Sequence, residues 1–190
     1  KSKTRPLASG AITRRHALSV LVLLGVLVII AGAFMPKVAM VIGSYVALNL
    51  LYSFSLKHKP VFDIFTVAVG FVLRVYAGAL AIGVPVSYWM SITTFSLALY
   101  LAAIKRRQEL LTAGNTSRKV LEYYTPQLIN RYAEIASTGA LVFYSLFVMS
   151  EKKELIMTIP LVMFGFYRYW FLVETQREGE SPTDVVTKDI

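Results

Sequence analysis

Apolar residues fall into six long blocks along this chain, parted by shorter polar stretches. The blocks cover 17–34, 38–56, 61–82, 88–104, 132–149 and 155–173. Each approaches the ~20 residues that a helix needs to cross hydrocarbon. Apolar residues cover every face of the blocks, as expected where lipid and neighbouring helices are both close. The pattern predicts an all-α, polytopic membrane helix bundle with six transmembrane helices, in a single membrane domain over 1–190.

Polar stretches between the blocks alternate in charge. The N-terminal segment carries Lys1, Lys3, Arg5, Arg14 and Arg15, and the 57–60 loop carries Lys57 and Lys59. The 105–131 loop carries Lys105, Arg106, Arg107, Arg118, Lys119 and Arg131, and the tail carries Arg177 and Lys188. The opposite side has Lys37, Lys152 and Lys153. Basic residues gather on the cytoplasmic side of membrane proteins, so both ends of the chain and these two loops are predicted to be cytoplasmic. The long 105–131 loop contains AGNTSRKVLEYYTP, helix formers between breakers, which predicts a short interfacial helix there.

Composition supports the membrane reading. The 190 residues are 56% hydrophobic with a mean hydropathy of +0.58, unusual for a soluble domain. The net charge of +9 fits both a topological bias and an anionic substrate, and alone decides neither. With no cysteine, disulfides, thiolate metal sites and a cysteine nucleophile are excluded. The chain starts at Lys1 in a charged stretch; no signal peptide is read there, and a further N-terminal part is expected.

Charges inside spans mark sites, because lipid tolerates them poorly. Asp63 and Arg74 lie roughly three turns apart on one face of the third span, with Gly70 close to that face. Arg74 reads either as a structural arginine bonded to a neighbouring helix or as part of a polar stripe descending from a cytoplasmic cavity. Arg168 sits among Tyr167, Tyr169 and Trp170, an aromatic belt from which it snorkels or turns inward toward an anion. At the end of the fourth span, IKRRQEL places Lys105, Arg106 and Glu109 on one helix face. This reads as a solvated helix end or as an anion site. His16 and His58 stand alone beside basic residues, without metal-ligand spacing, and no nucleophile elbow, P-loop or dinucleotide fingerprint occurs.

Several stretches, in order, resemble the UbiA-type prenyltransferases. KTRPLASG at 3–10 is similar to the segment after that family's first aspartate-rich motif, and YSFSLK at 52–57 to its YSxxLK signature. DIFTVAVGFVLRVYAGALAIGVPVS at 63–87 is similar to the branch of decaprenyl-phosphate phosphoribosyltransferases. So are KRRQEL at 105–110, TIPLVMFGFYRYWFLV at 158–173 and SPTDVVTKD at 181–189. The resemblance covers essentially the whole chain. It lacks the aspartate-rich magnesium motif, which is expected upstream together with one or two helices, so this chain would be the C-terminal portion of a larger bundle.

The resemblance implies a membrane transferase of the bacterial inner (cytoplasmic) membrane, its active site facing the cytoplasm. It would move 5-phosphoribosyl from phosphoribosyl diphosphate to a polyprenyl (decaprenyl) phosphate, releasing pyrophosphate, for cell-envelope arabinan precursors or a related glycolipid. The implied cofactor is Mg2+, with no ligand in this chain. Implied partners are the two substrates and the bilayer, with no nucleic acid; oligomeric state is left open, a homo-oligomer included. Tyr52, Lys57, Lys105 and Arg106, with Lys3 and Arg5 from the first segment, are the expected phosphate-binding set; Arg74 and Arg168 are secondary members. Asp63 and Glu109 would orient these bases or bond ribose hydroxyls. Where most of the family carries a second aspartate motif, this chain reads KRRQE, so direct cationic contact would replace a second metal. Two alternatives stay open: a transferase that moves a prenyl chain from prenyl diphosphate to an aromatic or other acceptor, and a non-enzymatic transporter or scaffold subunit.

Overall fold

The computed structural model describes residues 12–112 and 119–175. Among them, six α-helices follow one another: α1 Arg14–Phe34, α2 Pro36–Phe54, α3 Phe62–Ile82, α4 Tyr88–Thr112, α5 Pro126–Glu151 and α6 Thr158–Thr175. Short 3-10 turns at Leu56–His58, Lys119–Tyr123 and Lys153–Leu155 lie in the connections. The expected all-α class and six-helix count hold. Four of the helices, α1, α2, α3 and α5, are long and apolar enough to cross a membrane. The other two are more polar: α4 ends in KRRQELLT, and α6 contains Arg168 and Glu174. The chain is an integral membrane protein.

Two boundaries depart from the apolar blocks, each for a local reason. The fourth block ends at 104, yet α4 continues to Thr112, because Lys, Arg, Gln, Glu and Leu are all strong helix formers. The fifth block starts at 132, yet α5 starts at Pro126. Thr125 caps it by accepting the Leu128 N–H at 3.2 Å, and proline suits the first helical position. In the 105–131 loop, the element after the undescribed residues 113–118 is the 3-10 turn Lys119–Tyr123 rather than an α-helix.

Packing is uneven. The α4–α5 pair is the densest, α3 packs on α4, α2 on α3, and α1 mainly on α2. Small side chains explain the first contact: Ala98, Ala102 and Ala103 of α4 and Ala133, Ala136 and Ala140 of α5 are buried. Gly139 of α5 faces Ser96 of α4 at the same seam, where a Cβ would stand 3.4 Å from Ser96 Oγ, at ordinary contact distance. Tyr100 ties α6 to α4 through ring contacts with Phe166, Tyr169 and Trp170, at 5.4, 5.9 and 6.0 Å between centroids. Gly83, at φ 70°, ends α3 in the left-handed conformation that glycine adopts without steric cost. These contacts bring the C-terminal ends of α4 and α6 and the N-terminal ends of α3 and α5 to one end of the bundle.

Candidate active site

At that end the chain turns from α2 into α3 through a constrained segment. After the 3-10 turn Leu56–His58, Val61 adopts φ 70° and ψ −48°, and the Phe62 N–H bonds the Pro60 carbonyl at 2.8 Å. This is a γ-turn of the rare, strained hand. Val61 is the one non-glycine with positive φ among the described residues. The turn sets Asp63 into the first turn of α3, where the helix dipole favours a carboxylate.

Asp63 is fully buried. Its Oδ1 accepts the Tyr124 hydroxyl at 2.7 Å, and its Oδ2 lies 3.6 Å from Arg106 Nε. The Tyr124 oxygen also accepts the Val61 N–H at 2.6 Å. Burial pushes the Tyr124 hydroxyl above its ordinary range; the Val61 bond acts the other way, and the Asp63 carboxylate adds to the rise. Tyr124 therefore keeps its proton and serves Asp63 as a donor.

The KRRQEL segment divides its charges. Arg106 is 3% exposed and bonds Glu109 as well as facing Asp63, a chain of carboxylate, guanidinium and carboxylate. Arg107 is also buried and crosses to α5 and α6, donating to Asn130 Oδ1 at 2.8 Å and Glu174 Oε1 at 2.6 Å. Lys105 points outward and is exposed. Buried guanidinium groups need such partners, because an uncompensated charge in the interior is costly.

The remaining expected site residues take several positions. Lys57 and Tyr52 are half-buried, and the turn holding Lys57 packs against the Lys119–Tyr123 turn. Arg74 is exposed, its guanidinium 4.6 Å from the Phe71 ring centroid and 5.1 Å from that of Tyr45. Gly70 is buried against the same Tyr45 ring, 3.5 Å from where its Cβ would be. Asp63 and Arg74 thus end on different partners, α4 and the α4–α5 connection for the first and α2 for the second. A pocket of about 70 Å³ between α2 and α3 is lined by Tyr45, Asn49, Tyr52, Thr66, Gly70 and Arg74, among others. Arg168 is exposed and sits 5.5 Å from the Phe171 ring. Lys3 and Arg5 lie outside the described residues.

Beside the Asp63 cluster, α3, α4 and α5 line a largely apolar cavity of about 590 Å³ that is open on one side, where Phe65 and Ile135 are exposed. Val61, Ile64, Phe65, Phe95, Leu99 and Phe143 form much of its wall, with Tyr132 and Ser96 as polar members. Val61 belongs both to this wall and to the Tyr124 contact, so cavity and charge cluster adjoin. Among the described residues no group of three or more Asp, Glu or His converges on a point. Asp63 and Glu109 both face Arg106, a donor set unlike the open oxygen ligands that magnesium takes. The described residues do not fit a magnesium site.

Sequence reasoning missed Tyr124, Arg107, Asn130 and Glu174. Tyr124 is 61 residues from Asp63, and Arg107 is 67 from Glu174, so no spacing rule links them. The usable signal was limited to a second arginine beside Arg106 at the end of an apolar span.

A profile of the UbiA prenyltransferase family matches residues 1–183. The chain belongs to the UbiA prenyltransferase family. Curated relatives agree in name. A decaprenyl-phosphate phosphoribosyltransferase of Corynebacterium glutamicum is 36% identical over 200 residues, covering 97% of this chain and 59% of that protein. One of Mycobacterium tuberculosis is 32% identical over 195 residues, covering 97% and 64%. One of Mycolicibacterium smegmatis is 35% identical over 153 residues, covering 78% and 48%. The chain spans about half to just under two thirds of the length of these relatives.

Proposed function

We propose that the protein to which this chain belongs transfers 5-phosphoribosyl from phosphoribosyl diphosphate to a polyprenyl phosphate. The similarity to decaprenyl-phosphate phosphoribosyltransferases over nearly the whole chain carries this reading. The placement of basic side chains beside an apolar cavity supports it. The charge bias supports a cytoplasmic position for the basic end in a bacterial inner membrane.

In this reading the bond between ribose C1 and the diphosphate oxygen breaks, and pyrophosphate leaves with the electron pair. An acceptor phosphate oxygen forms the new bond to C1. No protein nucleophile is needed, so the chain's contribution is positioning and charge. Exposed Lys105 and half-buried Lys57 hold phosphate oxygens, with Tyr52 at the mouth. Asp63 and Glu109 act by holding Arg106 and fixing its guanidinium beside the phosphate set. Lys3 and Arg5 join the same phosphate set, and Arg74 and Arg168, which pack on aromatic rings away from Asp63, are its secondary members. The polyprenyl chain occupies the cavity between α3, α4 and α5, whose volume suits a segment of a lipid chain. Magnesium, expected from the family, would offset charge on the diphosphate, and its ligands are not drawn from the described residues.

The test is substrate choice by the full-length protein in detergent or liposomes. Pyrophosphate release from phosphoribosyl diphosphate that depends on polyprenyl phosphate is the expected result. Release only from a prenyl diphosphate with an aromatic acceptor would replace this reading with prenyl transfer. Solute movement in liposomes without either activity would replace it with transport.

A further inference from the structure

The connection between α4 and α5 reaches across the bundle with one side chain. Tyr124 is 5% exposed, and its ring packs edge-on against Tyr132 of α5, 6.4 Å between centroids. Its hydroxyl bonds the end of the α2–α3 connection and the first turn of α3: it accepts from the Val61 N–H and donates to Asp63. Val61 is β-branched and at φ 70°, a conformation that persists only where its surroundings hold it. Closing that γ-turn directs the chain from the Lys57 turn into α3. It also seats Asp63 where Arg106 is within 3.6 Å.

We propose that Tyr124 is a positioning residue of the transferase. Its hydroxyl clasps the strained turn at Val61 to Asp63, and so fixes the Lys57 turn relative to Arg106, Glu109 and Lys105. Tyr124 itself touches no substrate. The role rests on the reading of Lys57 as a phosphate ligand, and it predicts that losing the hydroxyl weakens donor binding rather than the chemical step.

The full-length protein carries the test. Tyr124→Phe keeps the ring and removes both hydroxyl bonds. Amide exchange across 57–63 is expected to rise about tenfold, with the middle of α5 unchanged, as local opening becomes easier. KM for phosphoribosyl diphosphate is expected to rise about tenfold, with kcat within about twofold. Adding Val61→Gly removes the side-chain cost of positive φ, so the double variant is expected to regain donor KM to within about threefold of wild type. Unchanged exchange at 57–63 overturns the clasp. Faster exchange with unchanged donor KM, or a fall in kcat alone, overturns the positioning role. If Tyr124→Phe does not accumulate, accumulation of the double variant supports the clasp, and failure of both overturns an effect confined to donor binding. A wild-type protein that ignores phosphoribosyl diphosphate sinks the functional reading by itself, while the exchange measurement, which needs no substrate, still decides the clasp.

Discussion

The α1–α2 hairpin and the basic end of α3–α6 are built from opposite solutions to the same surroundings. No described residue of α1 or α2 is buried, although both helices are predominantly apolar. At the basic end, Asp63, Arg106, Arg107 and Gln108 are all buried although each is polar or charged. Hydropathy therefore says which helices lipid accepts, and not which helices form the protein interior. In a bilayer there is little drive to hide leucine from lipid, so close packing and polar bonds choose the core. The α4–α5 contact follows that rule, with alanine and glycine at the seam. The charge cluster follows it too, because Asp63 and Arg106 must find one another once water is gone.

The contrast can be broken most directly at Asp63. Asp63→Ala leaves Arg106 buried with Glu109 alone, and about 3–5 kcal/mol of stability should be lost. Unfolding of the full-length protein in detergent measures it; a loss below about 1 kcal/mol means Glu109 suffices and the buried cluster is not what holds this end together. Lys57→Met is next. It keeps length and removes charge at a half-buried position, so kcat/KM should fall about 100-fold through donor KM, with the melting temperature unchanged. Unchanged donor affinity would remove Lys57 from the phosphate site.

Smaller effects sharpen the same division. Glu174→Gln weakens the pair with Arg107, but the Glu174 side chain is 46% exposed, so solvent screening limits the loss to about 0.5–1 kcal/mol. A loss of several kcal/mol would make the α4–α6 link as important as the Asp63 cluster. On the hairpin, Leu24→Ala in the middle of α1 should change stability by no more than about 0.5 kcal/mol, since Leu24 is exposed. A loss above about 2 kcal/mol would show that Leu24 is packed against protein in the full-length molecule, and the two regions would no longer differ in kind.

Much of the fold was legible before any coordinates. Six apolar blocks became six helices, since block length and composition are local properties that a bilayer reads directly. The blocks failed where helix continuation depended on propensity and capping rather than hydropathy, at Lys105–Thr112 and at Pro126. Of the site, Asp63, Arg106 and Glu109 were visible because charge in or beside a span is costly and therefore conspicuous. Their mutual pairing was half visible: Arg106 and Glu109 are three residues apart on one helix, whereas Asp63 lies on another.

The sequence by itself determined membrane residence, helix number and the concentration of positive charge at one end, because each is a sum over neighbouring residues. Only the tertiary structure decided which charges look inward. It turned Arg106 and Arg107 into the bundle and left Lys105 outside, although the three are adjacent. It brought Tyr124 to Val61 and Asp63 across 63 and 61 residues. Such pairings depend on how helices cross and where a connection folds back, and no local period records either.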